Sequence, residues 1–196
     1  MVNYSEDADV RPRKRSNPRE IEQRKQARAA ARSASEWRSF ARDIVYRRLA
    51  VQDRSSAELR MAMERELVPQ EFIDETLKKF SDADLVNDER FAQSYVRSRF
   101  ESKSTSRRSL THDLRQKGII GELADQALSQ ISDSDEQASA NAFAIRRIRS
   151  MTSLDAHVIR RRLFGALARR GFSPTQALCA IDSAFDAVES DPDDHR

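Results

Sequence analysis

Arg108 and Arg115 stand seven residues apart in "RRSLTHDLR", and Arg162 and Arg169 stand seven apart in "RRLFGALAR". Seven residues are two helical turns, so each pair shares one helix face, with Arg161 beside the second pair. A guanidinium presents a planar fork of donors that fits a carboxylate or a phosphate with two parallel bonds. Of 35 basic residues, 29 are arginine. The chemistry on offer is recognition of an acidic partner or a polynucleotide backbone. When the two segments are aligned, Arg107, Arg108 and Lys117 fall on Arg160, Arg161 and Arg170. Arg97 and Arg99 in "YVRSR", with Arg146, Arg147 and Arg149 in "FAIRRIR", complete the candidate partner- or DNA-binding face. A merely solvated charged face is the competing reading.

Bond-making chemistry has little support. His112, His157 and His195 are far apart in sequence, and no Cys or His spacing resembles a zinc site. Cys179, beside Leu178 and Ile181, is expected to fill core space rather than act as a nucleophile. The glycines form neither "GxxxxGK" nor "GxGxxG". The acidic run "DADLVNDE" lacks calcium-loop spacing and reads as turn residues and a helix cap. No catalytic residue, metal or cofactor is expected.

The elements that must carry the arginines repeat. "LRQKGI" (114–119) and "LARRGF" (167–172) share one phrase, although the chain has only 4 glycines. With a shift of 53, Leu110, Leu114, Gly118 and Ile119 fall on Leu163, Leu167, Gly171 and Phe172. A shift of 51 the other way meets Leu59, Met63, Leu67 and Val68, and lays "FAQSYVRSR" over "FARDIVYRR". "FAIRRIR" is a third copy at a shift of 52. Such self-similarity marks a repeat architecture. Each unit reads as three helices, with the glycine ending the second and letting the third fold back. Capping boxes are expected at "SSAE" (55–58) and "SPTQ" (173–176), and an Asn87 cap in "VNDERF". Leu67 replaces the glycine in unit one and is followed by Pro69, so that turn is expected to be made differently.

The expected fold is therefore all-α: three tandem three-helix repeats in an elongated, curved, solenoid-like array. The expected divisions are a basic extension over 1–35, repeats over 36–90, 91–132 and 133–188, and an acidic tail over 189–196. Within the extension, residues 1–16 read as disordered, and 17–37 as one exposed helix capped by Asn17 with no apolar face. Deleting 1–35 is expected to leave the repeats folded. A 34% charged composition with 38% hydrophobic residues favours narrow buried stripes on helices over a thick core. No apolar run approaches the roughly 20 residues of a membrane span. The N-terminus has no signal-like apolar segment, and a lone cysteine suits a reducing compartment. A cytoplasmic monomer is expected. Net charge is +3, yet unit one carries Glu64 where unit two has Arg115, and Glu66 where it has Lys117.

"DLVNDERFAQSYVRSR" (84–99) resembles the "GLIDDERFA..YV..R" region of the bacterial RecX family. "RRSLTHDLRQKGI" (107–119) and "RRLFGALARRGFS" (161–173) are similar to its later segments, so the resemblance covers about residues 40–185. Asp84 stands where that family often has glycine, and the basic extension lies outside the shared core. The resemblance implies a non-enzymatic regulator that binds the RecA–single-stranded DNA filament. It implies inhibition of recombinase, ATPase and co-protease activities. Sequence-independent contact with single- or double-stranded DNA fits the arginines. The alternative is a helix-turn-helix DNA-binding protein acting independently of RecA. Its second helix would be "GELADQALSQI", which has Glu122 and Asp125 and no basic residue.

Overall fold

The computed structural model describes residues 17–151 and 153–190. The expectations for residues 1–16, for His195 and for the tail beyond 190 lie outside them. Among the described residues there are ten helices and no strand. They are α1 (Pro18–Ala30), α2 (Ala34–Leu49), α3 (Ser56–Arg65), α4 (Gln70–Asp82), α5 (Asp88–Lys103), α6 (Arg107–Gln116), α7 (Glu122–Leu128), α8 (Asp133–Ile148), α9 (Ala156–Arg169) and α10 (Pro174–Glu189). None is long and apolar enough to cross a membrane.

Caps set the helix starts. Asn17 accepts a hydrogen bond from the Arg19 amide, and Asn87 from the Arg90 amide. Reciprocal capping boxes join Ser33 to Glu36, Ser55 to Glu58, Ser132 to Asp135 and Ser173 to Gln176. Each satisfies two orphan backbone donors. The Ser33 box also corrects the single helix expected over 17–37. The chain breaks between Ala30 and Ala34, and α2 carries Trp37 into the first core. Arg32 crosses that break, its guanidinium 3.7 Å from the Phe40 ring centre. Deletion through residue 35 would thus remove a cap and a cation–π contact from α2, as well as α1.

Three apolar clusters follow in chain order. The first gathers Trp37, Ile44 and Val45 of α2, Leu59 and Met63 of α3, and Phe72, Ile73 and Leu77 of α4. The second gathers Phe91 and Val96 of α5, Leu110 and Leu114 of α6, Ile119, and Ala124 and Leu128 of α7. The third gathers Ala140 and Ala144 of α8, Ile159, Leu163 and Leu167 of α9, and Ala177, Ala180 and Ala184 of α10. The fully buried alanines on α8 and α10 permit close backbone approach at those positions. Cys179 is exposed, which corrects its expected core role. The inward stripe of α10 is Ala177, Ala180, Ile181 and Ala184, and positions 178 and 179 fall off it.

The turn after the second helix is the same in all three units. Val68, Ile119 and Phe172 amides donate to the Met63, Leu114 and Leu167 carbonyls, respectively. The Leu67, Gly118 and Gly171 amides donate to Glu64, Arg115 and Ala168. This is the paired bonding of a left-handed helix exit. Leu67 has φ 60, beside 75 for Gly118 and 84 for Gly171, so unit one does not make its turn differently. Asp84 also takes φ 53, a left-handed geometry that a short polar side chain tolerates.

What the glycines add is room. A Cβ at Gly118 would overlap the Ala57 Cβ, and one at Gly171 would overlap the Ser106 hydroxyl and sit 3.2 Å from the Ser109 nitrogen. In both cases the preceding unit's second helix presses on the exit turn. Ser55 and Ser106, both fully buried, form the fastening. Each hydroxyl oxygen caps its own helix, at Glu58 and Ser109 respectively, while its proton goes to the next unit. Ser55 donates to the Lys117 carbonyl at 2.6 Å, and Ser106 to the Arg170 carbonyl at 3.0 Å. One residue further, the Ser56 amide donates to Asp88 and the Arg107 amide to Glu136, each at 2.8 Å. Lys25 of α1 engages the Arg65 carbonyl and Glu66 at the end of unit one's second helix.

Gly165 lies within α9, where a Cβ would meet only the Arg169 guanidinium at 3.4 Å. Gly165→Ala is expected to stabilise the protein by about 0.5–1 kcal/mol, because it removes backbone entropy from the unfolded chain at an ordinary helical φ. Denaturant titration reading a lower midpoint for the variant would refute this.

Candidate functional site

The fourteen cations of the candidate face fall into three environments. Some are locked into the fold. Arg107 donates its Nε to Glu136 at 3.0 Å and also pairs with Asp133. Those bonds raise it above the usual arginine value. Lys117 pairs with Glu58 at 2.8 Å and lies 5.1 Å from the Tyr95 ring centre. Burial opposes the charge on Glu58, but the Lys117 and Ser55 hydrogen bonds and nearby Arg54 pull its carboxyl below the usual value. Arg160 pairs with Asp182 at 2.7 Å and covers Phe185. Arg99 donates to the Tyr95 hydroxyl at 3.1 Å, a bond that raises its own pKa. Sequence alignment ranks these four with the others because periodicity reports a face and is blind to what neighbouring units bring to it.

Arg107 illustrates the difference. Glu136 is 5% exposed and loses its charge partner if Arg107 is truncated. Arg107→Ala is expected to cost about 2 kcal/mol, since hydrogen bonds to charged groups are worth about 1.5–3 and the Arg107 side chain is partly solvated. Chemical denaturation checks this, and a change under about 0.5 kcal/mol, the usual range for surface substitutions, would return Arg107 to the solvated class.

A second set is exposed and unpaired. Arg97, Arg108, Arg115, Arg161, Arg162 and Arg169 make no ion pair or side-chain hydrogen bond to a described residue. Arg108 and Arg169, from different units, line one cleft of about 520 Å³ with His112, Phe164, Phe172 and Pro174. Phe164 is 38% exposed there. This concavity couples cations to aromatic surface, the combination that holds phosphates and stacks on bases or apolar side chains. The aromatic part was not legible as function, since Phe164 reads as one more apolar residue of α9.

The third set lies where units two and three meet. Arg146, Arg147 and Arg170 line a cleft with Lys103, Phe143 and three serines. Arg149 is exposed at the nearby α8 C-cap. His112 stands by Gln116 at 2.9 Å, and His157 is exposed. No group of three His, Cys, Asp or Glu among the described residues is placed to hold a metal. The exposed guanidiniums on these faces offer forked donors suited to carboxylate or phosphate oxygens.

Comparisons with known proteins agree with this architecture. The family model for the second three-helix domain of RecX matches residues 87–128, which span α5 to α7. A regulatory protein RecX of Streptomyces coelicolor is 35% identical over 151 residues, covering 77% of this chain and 80% of that protein. Its counterpart in Amycolatopsis mediterranei is 36% identical over 141 residues, covering 72% and 81%. The crystal structure of RecX from Lactobacillus salivarius superposes with a TM-score of 0.67 at 21% identity, over 76% of this chain and 97% of that one. At that identity the likeness speaks for the fold.

Proposed function

Because the chain belongs to the RecX family of regulatory proteins, we propose that it binds the RecA–single-stranded DNA filament and inhibits its recombinase, ATPase and co-protease activities. The observation that supports this most is the unpaired arginine set. Arg108 and Arg115 of unit two, with Arg161, Arg162 and Arg169 of unit three, remain exposed with no carboxylate partner among the described residues. Exposed guanidiniums without internal partners are available to phosphates and carboxylates of a ligand at little desolvation cost. A filament of protein on DNA supplies both. Spread over successive units, such a face suits an extended partner better than a small ligand. A cytoplasmic, monomeric regulator would meet the filament directly.

The rival reading, a helix-turn-helix reader acting alone, would need α7 to enter a DNA groove. That helix has seven residues and carries Glu122 and Asp125 in its first turn with no base. A phosphate-lined groove repels it. The test of the filament reading is ATP hydrolysis by the cognate RecA on single-stranded DNA. Hydrolysis is expected to fall as this protein is added, and an unchanged rate at several-fold molar excess would overturn the proposal.

A further inference from the structure

The two junctions between units carry equivalent clefts, and the repeat makes each the control for the other. At the first junction Gln52, Asp53, Phe91, Ser94, Tyr95, Ser98 and Lys117, with Arg99 and Ser102, line a cleft of about 520 Å³. At the second, the residues 51 to 53 positions later, those two aside, are Lys103, Ser104, Phe143, Arg146, Arg147, Ser150 and Arg170, around about 580 Å³. The backbone setting is shared. Lys117 and Arg170 both cap the second helix of their unit, and both lie against the first helix's phenylalanine.

Charge is what differs. The first cleft holds Asp53 beside two cations, Lys117, which Glu58 neutralises, and Arg99, which is tied to the Tyr95 hydroxyl. In the second, Ser104 stands at the position of Asp53 and Ser109 at that of Glu58. Arg146 and Arg147 replace Ser94 and Tyr95. No lining residue is acidic, and Lys103, Arg146, Arg147 and Arg170 have no ion pair among the described residues. Arg146 instead donates to the Ser104 hydroxyl at 2.6 Å. Ser104 takes φ 33, a left-handed geometry that a serine adopts at a cost. Burial first, then the nearby Arg146, Arg147 and Arg169 charges, push Arg170 below the usual arginine value.

We propose that the cleft between units two and three binds the sugar-phosphate backbone of single-stranded DNA, with Lys103, Arg146, Arg147 and Arg170 as phosphate contacts. This deepens the filament reading by assigning this cleft to the DNA rather than to recombinase carboxylates. Several cations in one concavity call for closely spaced negative charges, which consecutive phosphates provide. Serine hydroxyls are donors to the same oxygens. Arg170 covers one face of Phe143 at 4.2 Å and the ring packs on the third core, so phosphate contacts, which carry no sequence information, dominate the cleft.

The test is fluorescence anisotropy of labelled oligodeoxythymidylate with the full chain, without recombinase, across a salt series. Arg146→Gln with Arg147→Gln is expected to weaken binding several-fold and to flatten the log–log salt slope by about one to two, roughly one per lost phosphate contact. Lys103→Gln with Arg147→Gln, which breaks no internal hydrogen bond, should act alike at unchanged melting temperature. Arg42→Gln with Arg48→Gln, exposed positions of unit one, removes the same charge elsewhere and should do less. Equal weakening by that control, or no measurable binding by the wild-type chain at low salt, would overturn the proposal. So would inorganic phosphate displacing the oligonucleotide at micromolar concentration, which would make this a small-anion site. Cleft variants that bind DNA normally but lose contact with DNA-free recombinase would assign the cleft to protein. Inhibition of recombinase ATPase by the wild-type chain is scored separately, so the filament reading can survive the loss of this one.

Discussion

Gly171→Val is expected to lower stability by about 2–6 kcal/mol, whereas Leu67→Gly at the matching position is expected to change it by less than about 1 kcal/mol. Two separate terms act on Gly171. Its φ of 84 disfavours a β-branched residue, a strain of about 1–3 kcal/mol. Its missing Cβ is also the space in which Ser106 lies. A side chain there must displace the buried serine that caps α6 and donates to the Arg170 carbonyl, adding about 1–3 kcal/mol of overpacking. Leu67 carries only the first kind of term, at φ 60, and its side chain is 36% exposed. Glycine there relieves the left-handed strain and forfeits modest apolar burial, so the two effects nearly cancel. Denaturant melts of both variants read the contrast. A Gly171→Val cost no larger than the backbone strain alone would mean that the Ser106 contact does not constrain the turn.

The same comparison shows what could be read in the sequence. Helix type and caps were legible because they are local. Ser55 with Glu58, Asn87, and Ser173 with Gln176 carry their signals within four residues. The glycine phrase was legible as a helix exit, and Leu67 then misled. A glycine at a helix exit is explained by its φ alone, and a leucine at the matching position of unit one points to another turn. The decisive term is the approach of a neighbouring unit, which no local pattern encodes. The same limit explains the cations. Arg107 and Arg108 are adjacent in one helix, yet Arg107 is held by Glu136 from the next unit and Arg108 is open. Cys179 is exposed for a narrower reason: the buried stripe of α10 runs through positions 177, 180, 181 and 184, and position 179 falls off it. The repeat register did contain one unused signal. Ser55 and Ser106 align at the shift of 51, and a polar residue kept at a matched cap position can serve two units at once.

Arg161→Glu, Arg162→Glu and Arg169→Glu together are expected to raise the concentration needed for half-inhibition of RecA's ATPase on the order of tenfold or more, with melting nearly unchanged. None of the three supports the fold by an ion pair, and the apolar stripe of α9 is Ile159, Leu163 and Leu167 on the opposite side. Their loss therefore opens no cavity and strands no buried carboxylate, unlike the loss of Arg107. Reversal turns each attraction to an acidic surface into repulsion, which weakens encounter as well as the bound state. The wild-type inhibition should itself decline with salt, because exposed charges are screened beyond about 10 Å at 0.1 M. The variant should decline less, having fewer favourable charge contacts to screen. Glu64→Lys with Glu66→Lys in unit one gives a contrast of opposite sign at aligned positions. Glu66 already pairs with Lys25 of α1, so that change also removes one of the contacts between α1 and unit one. Against DNA the added positive charge should strengthen binding or leave it level; against a basic patch of the recombinase it should weaken it. Inhibition curves across a salt series, at matched folded fraction, decide the matter. If wild type and the triple arginine variant give coincident curves, the face on α9 is solvated surface and the filament must be held by other residues.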